Sequence, residues 1–257
     1  MNYLRNIVFA GAAIACLTSC AGRQNQSENE ADDTFLVGAY ADYRTISDEE
    51  KNLFDSACSY SDRLVPQSVA TQVVAGTNYS FICTDKSENV VKVVVFKPLP
   101  NQGNPRVTSV EPVSAYDEMI ASVKNGIEDH WQKTSPDEIG VSPVYQYCAP
   151  SLGYAKLDVD RDGIVELLLG DNMGGESDYA VYDIFTFDPE NGAVKHLACG
   201  GERDWYNFNG SGIVCRHGSN SAFDSFSKYY RIEASELVEL QDEAVQQDLM
   251  NIEFKAF

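Results

Sequence analysis

The residue types best suited to chemistry stand together at Asp158-Val159-Asp160-Arg161-Asp162-Gly163-Ile164-Val165-Glu166. Oxygen donors fall at positions one, three, five and nine of this run, and glycine falls at six. That spacing folds a short loop around a hard cation, with Asp158, Asp160, Asp162 and Glu166 offering side-chain oxygens and Ile164 its carbonyl. Calcium in a structural role is the expected occupant, and extracellular concentrations would fill even a weak site. The loop is not a full EF-hand, because position twelve is Leu169 rather than Glu and no helical pattern follows. Leu167-Leu168-Leu169-Gly170 reads as a strand instead. A solvated acidic turn held by backbone hydrogen bonds is the alternative, since Asp and Gly favour such turns as well.

Catalytic constellations are thin. His130, His196 and His217 are the only imidazoles, and none sits in a His-Glu-x-x-His zinc motif. There is no Gly-x-Ser-x-Gly elbow and no phosphate-binding glycine loop. Cys215 and His217 share a strand face at i and i+2, but no third group is placed to orient them. We therefore expect no catalytic residue and no enzyme. The net charge of −20 argues against nucleic-acid partners, which need clustered Lys and Arg.

The elements that would position these residues follow from periodicity. Ser47-Asp48-Glu49-Glu50 has the capping-box form, with acids in the first turn, and Leu53, Phe54 and Ala57 continue it as one apolar helical stripe. The period then changes to two. Val69, Thr71 and Val73 alternate, followed by Tyr79, Phe81 and Cys83, then Val91, Val93 and Val95, then Val107 to Val110, with turn residues between them. A second helix is expected from a cap at Ser114 to Ser135-Pro136, with Met119, Ile120, Val123, Ile127 and Trp131 on one stripe. Beyond the acidic loop, runs at Tyr179 to Phe187, Gly212 to Arg216, Phe226 to Ile232 and Leu237 to Leu240 suggest a meander. Trp205, Tyr206 and Phe208 read either as local core or as a ligand platform.

Gln72-Val73-Val74-Ala75-Gly76, continuing as Thr77-Asn78-Tyr79, resembles the Gln-x-Val-x-Gly hairpin of cystatins, and especially the stefin version. Leu36-Val37-Gly38 precedes the helix where that family carries an apolar pair and a glycine. Val95-Phe96-Lys97-Pro98-Leu99-Pro100 is similar to the stefin strand and second hairpin loop. The resemblance covers most of residues 36 to 112. It implies a helix covering an antiparallel sheet and a thin edge that enters the active-site cleft of a papain-like cysteine protease. Gln72, Val73, Val74, Ala75 and Gly76 would occlude the catalytic groups, Leu36 and Val37 would fill non-primed subsites with Gly38 as a bend, and Leu99 and Pro100 would touch the primed side. The Pro-Trp pair of secreted animal cystatins is missing. The acidic loop in turn resembles the Asp-x-Asp-x-Asp-Gly loops of β-rich repeat modules in bacterial surface proteins, with Glu166 in place of the more frequent Asp.

The N-terminus has the charged-then-apolar layout of a secretory signal, too short to span a bilayer. Leu17-Thr18-Ser19-Cys20 resembles a lipobox, which implies lipid on Cys20 and an anchored protein. The bacterial cell envelope, and with Ala21 following the cysteine the outer membrane, is the expected address. Seven cysteines fall to five once Cys16 leaves with the signal and Cys20 takes lipid. An odd number leaves at least one free thiol, and Cys199 with Cys215 across a hairpin is one candidate pair. The expected organisation is a signal at 1–19, a tether at 20–34, a cystatin-like domain at 35–112 and a β-rich domain with the calcium loop at 113–257. The expected fold class is α+β: a cystatin-like helix on an antiparallel sheet, then a mainly β meander with one leading helix. Its expected function is reversible inhibition of papain-like proteases, with calcium-stabilised surface adhesion and an envelope scaffold as the alternatives.

Overall fold

Alternation of apolar and polar side chains dominates the chain, and in the computed structural model it produces strands. The structure describes residues 38–147, 151–175, 178–221, 224–241 and 249–257. Leu36, Val37, Cys20, Cys148, the signal and the tether lie outside them. Helix α1 (Asp48–Ala57) is followed by β1 (Val65–Val74), β2 (Gly76–Thr84), β3 (Val90–Pro98) and β4 (Arg106–Glu111), which pair in that order as a four-stranded antiparallel sheet. Then come α2 (Val113–Glu128), the four-residue α3 (Pro136–Ile139), a 3-10 turn (Pro143–Gln146) and β5 (Leu152–Leu157). The rest is β6 (Glu166–Gly175), β7 (Asp178–Asp188), β8 (Ala193–Cys199), β9 (Asp204–Phe208), β10 (Ile213–Ser221), β11 (Asp224–Glu233), β12 (Glu236–Glu239) and β13 (Lys255–Ala256). These form a nine-stranded antiparallel sheet ordered β12-β11-β10-β9-β7-β6-β5-β13, with β8 paired to β7.

The expected α+β class is therefore wrong. The chain is mainly β, 49% strand against 17% helix, with two antiparallel sheets and three α-helices among the described residues, and the cystatin-like helix-on-sheet architecture does not describe it. The physical reason lies in what closes each core. With ten residues, α1 is less than three turns long and buries only Phe54 and Glu50. The first sheet presents Val69, Phe81, Cys83, Val91, Val93, Val95 and Val110 to its core, and Phe187 and Val194 of the second sheet pack into the same cluster. A second layer of strand residues thus does part of the covering that a long helix would do.

The second sheet is covered on both faces, which accounts for the unbroken apolar run in β6. Leu168 points into a cluster with Ile184, Phe208, Ile252 and Phe254, whereas Leu167 and Leu169 meet Tyr116 and Val123 of α2 on the other side. The Tyr116 hydroxyl donates to the Val165 carbonyl at 2.8 Å, pinning α2 to the start of β6. Ser114 does not cap this helix. It sits inside the first turn, and its hydroxyl accepts from Val90 N at 2.9 Å. The helix also stops earlier than expected, because His130 and Trp131 take positive φ angles of 55° and 54°. Trp131 folds back over Gly126 and donates its indole N–H to the Tyr145 carbonyl at 2.9 Å, while Ser135 caps α3 instead.

Phe54 meets Phe81 edge to face at 5.1 Å between ring centres, with Phe54 fully buried. Truncation of a buried Phe to Ala costs about 3–5 kcal/mol through lost burial and the cavity left behind. Phe54→Ala should therefore lower the unfolding free energy of the chain, measured by urea denaturation, by that amount. A change below about 1 kcal/mol would show that α1 is peripheral to the core.

Candidate functional site

The first sheet gathers the hairpin, the arm and the second turn at one end. In the β1–β2 hairpin the register runs from Val65 opposite Thr84 to Val74 opposite Gly76, which leaves Ala75 as the apex. Gly76 in turn lies opposite Pro98 of β3, so the turn beginning at Leu99 emerges beside the apex. Residues 38 to 44 run antiparallel along the free edge of β1. Arg44 and Val69 exchange backbone hydrogen bonds at 3.0 and 2.9 Å, and Ala41 N donates to the Thr71 carbonyl at 2.8 Å. Following this arm back toward Gly38 therefore leads to the apex. There the Gln72 amide donates to the Gly38 carbonyl at 2.6 Å and accepts from the Asn78 amide at 2.8 Å. Gln72 thus ties the arm to the hairpin and braces the hairpin's two strands.

Apolar side chains crown this rim instead of hiding from water. Val73 is 73% exposed, Val74 43% and Leu99 47%, and Ala75 and Pro100 are exposed beside them. Most large apolar residues elsewhere are buried, so this grouping is a patch of the kind that marks interaction surfaces. Gly76 is required where it stands. Its φ is +137°, and a Cβ there would lie 2.6 Å from the Lys97 carbonyl oxygen and 2.7 Å from the Phe96 ring. Phe96 is itself held beneath the Arg106 guanidinium at 4.9 Å. On the other loop, the Gln102 N–H donates to the Leu99 carbonyl at 3.0 Å and Asn101 has φ +66°. That is a turn with Pro100 at its first corner and a left-handed residue at its second, where Asn is tolerated.

Arg44 also anchors the arm to α1 by donating to both oxygens of Glu50, while Ser47 donates to Oε2 from its backbone at 3.0 Å and its hydroxyl at 2.8 Å. The Arg44 hydrogen bonds outweigh the cost of burial and hold the Glu50 carboxyl at about 2, against an ordinary 4.5. A depressed folded-state pKa adds stability that is complete above the unfolded value and is lost as pH falls through the folded one. Stability should therefore decline between pH 4.5 and about 2. About 2 kcal/mol of that decline should vanish in Glu50→Gln, after allowance for the half-exposed Arg44. Chemical denaturation of both proteins at pH 6 and pH 3 measures it, and parallel losses in the two would exclude the pair as the cause.

The acidic loop joins the sheets to each other. Val110 N of β4 donates to the Gly163 carbonyl at 2.7 Å, and Val165 N donates to the Val110 carbonyl at 2.9 Å. Positive φ angles at Arg161 and Gly163 turn the chain. Within the turn Gly163 N donates to Asp158 Oδ2 at 3.1 Å, and Ile164 N donates to Asp162 Oδ1 at 2.6 Å. Asp158, Asp160 and Glu166 bring one carboxylate oxygen each to within 4.8 Å of one another. Asp158 Oδ1 is buried with no hydrogen-bond partner, an arrangement that costs free energy unless a cation or water meets it. Glu166 is 1% exposed and accepts from Val159 N at 3.0 Å and from the Thr186 hydroxyl at 2.8 Å. Burial pushes its carboxyl up to about 9, and burial with the neighbouring Asp162 pushes Asp160 up to about 6. Burial thus favours protons on these acids, and a hard cation bound by a cluster that offers only oxygen donors would displace them.

Other candidates resolve differently. Cys199 and Cys215 are free thiols, as are Cys58 and Cys83. Cys215 lies opposite Asn207 and Tyr229, and Cys199 lies opposite Asp183, so no hairpin joins the two. Cys215 is buried, while His217 stacks on Trp205 and meets the Ser227 hydroxyl at 3.1 Å. Tyr206 and Phe208 lie in strand β9 as core residues, not as a ligand platform. Sequence reasoning also missed the grouping of Asp183, His196 and Cys199. Burial, with the Asp183 charge, pushes the Cys199 thiol up to about 12, which keeps it protonated at neutral pH and unsuited to nucleophilic attack.

No protein-family profile, curated protein or solved structure matches the chain. No described helix is long and apolar enough to cross a membrane.

Proposed function

We propose that this protein is a reversible inhibitor of papain-like cysteine proteases that works by filling the active-site cleft, and that lipid on Cys20 holds it at the bacterial cell envelope. The observation that carries the reading is the single rim at which the Gly38 arm, the Val73–Gly76 hairpin and the Leu99–Pro100 turn meet with their apolar side chains exposed. The reading rests on that edge, not on the architecture behind it.

A protease cleft is narrow, apolar and largely preformed, so a rigid apolar edge enters it with little ordering cost. The hairpin apex would sit over the catalytic cysteine and histidine. A chain that doubles back at Ala75 does not lie extended across the subsites, and no peptide bond is offered in register for attack. Gly38 directs the arm, whose Leu36 and Val37 would lie along the non-primed side, and Leu99 with Pro100 would meet the primed side. Calcium held by Asp158, Asp160, Asp162, Glu166 and the Ile164 carbonyl would stiffen the loop that grips β4, the strand beside β3, from whose end the Leu99 turn emerges. Its role there would be structural.

Titration of the full chain against papain tests this. The expected result is stoichiometric loss of activity that returns on dilution, with the inhibitor recovered uncut. Full protease activity at a large molar excess of the chain would exclude the reading, and so would stepwise cleavage of the hairpin.

A further inference from the structure

We infer that Asp183, His196 and Cys199 form a second metal site, one that takes a zinc-class divalent ion. Asp183 lies on β7, and His196 and Cys199 lie on its partner β8. In an unbroken strand, residues three apart point to opposite faces, so a His-x-x-Cys pair is normally split between them. Here Ile184 pairs with Ala198 but Phe185 pairs with His196, so Leu197 has no partner and forms a bulge. Bulges re-aim side chains, and this one brings His196 to the side that Cys199 shares with Asp183. An imidazole nitrogen, a carboxylate oxygen and a thiol sulfur consequently lie within 4.8 Å of one another.

The surroundings position these groups. Asp183 is fully buried, and Ser142 N donates to its two oxygens at 3.2 and 3.0 Å. The Phe185 ring stacks on the His196 imidazole at 4.3 Å. His196 Nε2 stands 2.8 Å from Asp183 Oδ1. Backbone and ring contacts of this kind fix ligand orientation in metal sites. Cys199 and His196 are exposed, so an ion can enter from solvent, and water can supply a fourth ligand to three protein donors. A sulfur, nitrogen and oxygen set selects zinc over calcium, which takes oxygen alone. The site is thus chemically distinct from the acidic loop. On binding, the Cys199 thiol releases its proton to solvent, and His196 binds through the Nε2 lone pair with its ring proton on Nδ1.

Cobalt(II) titration of the full chain, reduced and at neutral pH, provides the test because a thiolate ligand adds a charge-transfer absorption in the near ultraviolet. The band should saturate at one equivalent and be displaced by one equivalent of zinc. Cys199→Ser should abolish it, and His196→Ala should weaken zinc binding at least about 100-fold. Asp158→Asn should leave both unchanged. Cys199 is exposed, so its serine variant keeps the core intact, which near-ultraviolet circular dichroism verifies. Absence of the band, or its persistence in Cys199→Ser, would overturn the assignment.

Discussion

Val73→Glu should raise the inhibition constant for papain at least about 30-fold while leaving the melting temperature within a degree of the parent, since central contact residues contribute about 2 kcal/mol or more. Val73 is the most exposed large apolar residue of the rim at 73%, so folding gains little from it and a charge there disturbs nothing inside the protein. In an apolar cleft, by contrast, the carboxylate would lose its water without gaining a partner. Gly76→Arg should be more damaging, on the order of 100-fold, because any Cβ collides with the Lys97 carbonyl and the Phe96 ring and the apex must shift. That variant also strains the hairpin, whereas Val73→Glu separates loss of contact from loss of shape. Inhibition kinetics and thermal melts of both measure the two effects independently. Unchanged inhibition by Val73→Glu would mean that the apex is not the contacting edge.

Calcium at about 100 times its dissociation constant should stabilise the chain by roughly 2.7 kcal/mol, because only the folded loop gathers the ligands. For a chain of this size that corresponds to a rise in Tm of about 5–10 °C. Asp158→Asn should remove the response. Asp158 carries the buried oxygen that lacks any hydrogen-bond partner, and losing its charge removes the ligand the cation most needs. Differential scanning calorimetry with and without a chelator shows the difference. A Tm indifferent to calcium in the parent would leave the loop as an acidic turn held by its own backbone.

Local patterns were legible in the sequence, and their assembly was not. The Ser47 capping box forms as its spacing indicates, and the strands of the first sheet lie where the period-two runs through Val69, Phe81, Val93 and Val110 place them. Periodicity tells which face of an element is buried but not what buries it. The α+β expectation failed at that step, because Phe187 and Val194, more than a hundred residues on from α1, help to close the core that a longer helix was expected to cover. The helix stop at His130 and Trp131 escaped notice because neither residue type advertises a positive φ. Trp205, Tyr206 and Phe208 lack clean alternation, since both Tyr206 and Phe208 are buried beside Asn207 in a sheet covered on two faces. The grouping of Asp183 with His196 and Cys199 was invisible for a related reason: a period of two separates residues three apart, and only the bulge at Leu197 reverses that.

Amide hydrogen exchange of the full chain, free and in the presence of papain, tests the proposed edge most directly. Protection confined to residues 38 to 44, 72 to 78 and 96 to 102 is the expected result, with β9, β10 and β11 exchanging at the same rate in both samples. Protection that falls on the second sheet and spares the Ala75 apex would contradict it.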